Sequence, residues 1–73
     1  MNRPKFTAGF NHGQRSCRGM SRELSVDVLG NYTPDFQAGY SAGRLVGPII
    51  TCAEDATKRL NEAWDAIEKG ATL

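Results

Sequence analysis

The sequence is short of metal- and thiol-forming residues: it has two cysteines, Cys17 and Cys52, and one histidine, His12. Two thiols cannot build the disulfide framework that staples small secreted chains, so they are expected to stay reduced. Arg3, Lys5, Asn11 and His12 interrupt the first apolar residues, which argues against a secretory leader and for a cytoplasmic protein. His12, Cys17 and Cys52 lack the short paired spacing of a zinc motif, so neither a metal nor a cofactor is expected. His12 beside Ser16 or Cys17 lacks a third group to orient the imidazole, so no catalytic residue is assigned and the protein is read as not an enzyme.

Long apolar runs are also missing. The best candidate span, residues 36 to 53, carries Arg44 near its middle, and a central arginine costs about 2.5 to 3.5 kcal/mol on insertion. AGYSAGR has neither the preceding strand nor the lysine of a phosphate-binding loop. The chain lacks the strong positive balance of a duplex-binding domain, its formal charge being +1. Acids are absent from residues 1 to 22, which hold Arg3, Lys5, Arg15, Arg18 and Arg22. Glu54, Asp55, Glu62, Asp65 and Glu68 make the last third net acidic, so the basic start is read as an arm that meets an anion or a neighbouring subunit.

What is present reads as a mainly α, single small domain. Residues 1 to 20 hold three glycines and a proline without helical period, and are read as a loop-like basic arm that Phe6 and Phe10 dock onto a helical surface. Residues 21 to 30 are either a short helix, capped by Ser21 and closed by Gly30, or a strand in which Leu24, Val26 and Val28 alternate with polar residues. A helix is expected from Pro34, with Thr33 as N-cap and Asp35 in its first turn, and the helical region stops near Lys69 and Gly70, with the last three residues frayed.

Within residues 34 to 69, Gly39, Ala42, Val46, Ile49, Ala53, Ala56, Leu60, Ala63 and Ile67 keep a 4-3 spacing. Pro48 either kinks this helix or breaks it into helices 34 to 46 and 52 to 69. The break would leave a helical hairpin, with Gly47 as a stop and Thr51 and Glu54 as a capping box. Gly39, Gly43 and Gly47 together weaken a helix by about 3 kcal/mol unless a second backbone packs closely on them. A 73-residue chain buries only about 60% of its unfolded surface, so that second backbone is read as another chain in a homo-oligomer. The expected interface is Gly39, Ala42, Gly43, Val46, Gly47, Ile50 and Trp64.

Arg15, Arg18 and Arg22 lie three and four residues apart, and with Tyr40 and Arg44 they are candidates to hold a small anion such as a nucleotide through guanidinium contacts. In style, a short chain with a loop start and a glycine-punctuated helix, the sequence resembles small phage-encoded accessory proteins, some of which counter host defences. That resemblance spans the chain and carries over no residue. Together these features lead to a non-enzymatic binding or inhibitor protein that sequesters a partner protein or a small anionic ligand. The alternative is an oligomeric nucleic-acid-binding protein that uses the basic arm.

Overall fold

The computed structural model describes residues 2–20 and 22–70; Ser21 as a cap and the frayed last three residues lie outside them. The protein is mainly helical: α1 is Arg3–Ser16, α2 Val26–Leu29, α3 Pro34–Val46 and α4 Ala53–Glu68, and a 3₁₀ turn covers Gly47–Ile49. No strand occurs among the described residues, so residues 21 to 30 contribute the short helix α2, capped by Ser25.

The loop-like arm is corrected. Residues 3 to 16 form α1, started by Asn2, whose side chain accepts from the Lys5 N–H at 3.1 Å, with Pro4 in the first turn where its missing N–H leaves no bond unmade. At its end Gly19 adopts a left-handed φ of 74°, the Met20 N–H donates to the Arg15 carbonyl at 2.9 Å and the Gly19 N–H to that of Ser16 at 3.1 Å. That closure satisfies carbonyls the helix would otherwise leave bare.

Gly9 and Gly13, glycines that favour a loop by composition, and Gly39 and Gly43, glycines spaced as a seam, are the two halves of one contact. A Cβ built on Gly9 would overlap the Phe36 carbonyl oxygen and stand 2.9 Å from the Tyr40 nitrogen; one on Gly39 would overlap the Phe6 carbonyl oxygen and stand 2.9 Å from the Phe10 nitrogen. Gly13 seats likewise between Tyr40 and Arg44, and Gly43 between Phe10 and Gln14. Residue numbers rise together on both sides, so α1 and α3 run parallel, related by a local two-fold. The sequence carries the same relation as an internal repeat: Pro4, Phe6, Ala8, Gly9, Phe10 and Gly13 recur as Pro34, Phe36, Ala38, Gly39, Tyr40 and Gly43. Backbones this close gain dispersion and Cα–H···O contacts that offset the poor helix propensity of glycine.

The glycine seam therefore closes within one chain. Gly39, Gly43 and Gly47 are buried against α1 and its end, Gly47 beneath the Cys17 sulfur, and are not an oligomer surface. Ile50 and Trp64, also expected between chains, are buried in the core with Phe6, Phe10 and Tyr40, while Ala42 and Val46 are half-buried. The 4-3 spacing to Ile67 is likewise not one helical face, because the chain breaks at Gly47–Ile49 rather than kinking. The expected capping box is displaced by one residue. The Asp55 N–H donates to Cys52 Sγ at 3.4 Å, and the Thr51 N–H donates to Asp55 Oδ2 at 3.3 Å.

After the break α4 returns to the start of α1. Trp64 meets Phe6 edge to face at 5.3 Å between centroids, with the Arg3 guanidinium 5.6 Å from the indole and bonded to Asn61. By contrast α2 buries none of its residues and rests beside α3.

Candidate functional site

The five candidate ligand residues do not converge on one clamp. Arg18, though exposed, donates through Nε to the Gly47 carbonyl at 3.3 Å and through a terminal nitrogen to the Ile50 carbonyl, so it ties down the end of the α3 region. Arg15 is exposed on the last turn of α1, where a cation complements the helix dipole. Arg22 is exposed, and its backbone carbonyl accepts from Ser16 Oγ at 3.0 Å and from His12 Nε2 at 2.8 Å. Since a carbonyl only accepts, His12 must carry a hydrogen on Nε2, which removes that nitrogen as a base towards Ser16.

Tyr40 and Arg44 do come together. The Tyr40 hydroxyl accepts from the Leu24 N–H at 2.9 Å, and the Arg44 guanidinium pairs with Glu23 at 2.6 Å while lying 6.0 Å from the Tyr40 ring centre. Burial pushes the Tyr40 phenol up, but donation from the Leu24 N–H and the nearby Arg44 guanidinium outweigh it, and the net shift is down. Arg44 is held further above its ordinary value, by the Tyr40 hydroxyl first and by the Glu23 carboxylate after it. Titration of absorbance at 295 nm is expected to show a phenolate forming below the usual tyrosine range, and that early step should vanish in Tyr40→Phe.

Beside this pair lies an open groove of about 440 Å³ between α2 and α3. Leu24, Val26 and Leu29 form one wall, and Tyr40, Ser41, Arg44 and Leu45 the other. Two of its aliphatic lining residues stand out into solvent, Val26 at 87% and Leu45 at 76% exposed. Of these, only Tyr40 and Arg44 are among the residues that the sequence marks as candidate ligands. Ser41 and Leu45, four apart on the side of α3 turned from the glycines, carried a signal in their spacing, but one leucine beside an arginine does not stand out from ordinary solvated surface.

Among the described residues no group of three or more His, Cys, Asp or Glu side chains is arranged to hold a metal. The Cys17 thiol donates to the Gln14 carbonyl at 3.1 Å and Cys52 caps α4, so both sulfurs have local structural contacts. No helix among the described residues is long and apolar enough to cross a membrane. Compared with known proteins, the chain matches no family model, no curated protein and no solved structure.

Proposed function

We propose that the chain is a non-enzymatic binding protein that acts by stoichiometric occupation of a partner protein, docked in the apolar groove between α2 and α3. The observation that carries this reading is the groove's composition: one wall is wholly aliphatic, Leu45 and the Tyr40 ring face it from α3, and the groove's one cation is already neutralised by Glu23. Capture of a small anion has less support, because Arg18 is spent on backbone carbonyls and Arg44 on Glu23, leaving Arg15 and Arg22 without a shared centre. A homo-oligomer belongs to the same proposal only through surface other than the glycine seam.

The test is affinity capture from the native host with the wild type and with Leu45→Glu, beside calorimetry against a nucleotide panel. The wild type should recover one partner near one to one. Leu45→Glu, with an unchanged circular dichroism spectrum, should weaken that capture by about 30-fold or more, the scale of a central apolar contact. Equal recovery by both proteins, or no stoichiometric partner, would overturn the reading, and strong heat from a nucleotide would return the anionic ligand to first place.

A further inference from the structure

Three consecutive residues, 22 to 24, are fastened to the helix pair by polar contacts from both helices. From α1, His12 Nε2 and Ser16 Oγ donate to the Arg22 carbonyl at 2.8 and 3.0 Å. From α3, Arg44 pairs with the Glu23 carboxylate at 2.6 Å, and the Tyr40 hydroxyl accepts the Leu24 N–H at 2.9 Å. Beyond this strap hangs α2, a four-residue helix with no buried side chain. Such a helix has too few internal bonds to persist by itself, so it is held from its two ends, by the strap before it and by Tyr32 after it, whose ring stacks on Phe36 at 4.3 Å.

Two of the fastening residues do double duty. Tyr40 and Arg44 hold the strap and also line the groove. Anything entering the groove against α3 therefore touches the groups that bond Glu23 and the Leu24 N–H. The geometry points to a latch: residues 22–24 are a releasable strap, and filling of the groove is coupled to its release through competition for Tyr40 and Arg44. This rests on the reading of the groove as the binding face and names how that face is regulated. Release swings Leu24 and Leu29 away from α3, which widens the groove and frees two more aliphatic side chains for the partner. By linkage, a partner that binds the released form more tightly favours release by that same ratio of affinities. The rest of the fold has no part in the motion, because α1 and α3 are locked backbone to backbone by their glycines.

The latch is tested on the protein alone, which separates its failure from failure of the binding reading. Amide hydrogen exchange should find the Leu24 N–H protected in the wild type. Its exchange should quicken by about tenfold in Tyr40→Phe, the scale of one hydrogen bond, while the amides of Phe10 and Gly43 keep their protection. Glu23→Gln, an exposed change that cannot unfold the core, should quicken the same amide to a smaller extent. Both variants should raise the fluorescence of the apolar dye 1-anilinonaphthalene-8-sulfonate, and Leu45→Glu placed on top should remove the rise. A Leu24 amide that exchanges as in an open coil in the wild type, or at an unaltered rate in Tyr40→Phe, overturns the latch. Faster exchange without any rise in dye fluorescence overturns its coupling to the groove.

Discussion

Replacing Gly43 by alanine is expected to remove about 3 kcal/mol or more of the chain's stability. On helix propensity alone the change should help, by about 1 kcal/mol. Against that gain, the new Cβ would overlap the Phe10 carbonyl oxygen and lie 2.9 Å from both the Phe10 carbonyl carbon and the Gln14 nitrogen. All three are backbone atoms, so no rotamer change can relieve the contact and the two helices must move apart. Separation loosens the seats of Gly9, Gly13 and Gly39 together, so the loss should exceed the usual overpacking cost of about 1 to 3 kcal/mol. A chain of 73 residues has a total stability of about 4 to 11 kcal/mol, and a loss of that size removes much of it. Gly30→Ala is the control, because its Cβ would meet only ordinary contacts, 3.4 Å from the Val26 oxygen and 3.5 Å from the Asp27 oxygen. It should change stability by less than about 1 kcal/mol. Urea titrations followed at 222 nm decide between them, and a Gly43→Ala midpoint as high as that of Gly30→Ala would show that α1 and α3 do not meet through glycine. The loss should also be independent of protein concentration, since the seam lies within one chain.

The start of α3 was legible because Thr33, Pro34 and Asp35 act locally, and Gly70 likewise marked the end of α4. Close approach at Gly39 and Gly43 was legible too, since glycines four apart make no sense in a helix without a neighbour. The neighbour's identity is less legible, because glycine and proline in the first half signal a loop by composition while glycines four apart in the second signal a helix by spacing. Residues 4 to 13 and 34 to 43 share proline, phenylalanine, alanine and glycine at matching positions. That repeat at an offset of 30 is the signal in the sequence that both segments take one conformation. The groove was less legible for a physical reason. Leu24 and Leu45 are 21 residues apart, and what brings them to one groove is the bond from the Leu24 N–H to a tyrosine hydroxyl, which no local pattern encodes. The arginines misled because guanidinium groups serve backbone carbonyls and carboxylates as readily as they serve ligands, as Arg18 and Arg44 do here.

Phe6→Ala should be the most damaging of the side-chain truncations. Phe6 is 0% exposed, and its ring is what Trp64 packs against, so truncation empties the volume on which α4 docks. Truncation of a buried phenylalanine costs about 3 to 5 kcal/mol, and the lost edge-to-face pair lies within that figure. The Phe6 backbone, which seats Gly39, is unchanged by the substitution, so the failure should begin at α4 rather than at the glycine seam. Trp64 fluorescence should accordingly shift to the red at lower urea than the loss of helical signal, turning one transition into two. Tyr32→Ala supplies the contrast. That ring also stacks on a phenylalanine, Phe36, at 4.3 Å, but it is 43% exposed and anchors no further helix. Its removal should cost no more than about 1.5 kcal/mol, the worth of a partly solvated aromatic pair, and leave a single transition. If Trp64 emission in Phe6→Ala stayed blue until the helices melted, α4 would be held by something other than the Phe6 ring, and Ile50 and the Arg3 contacts would become the next residues to change.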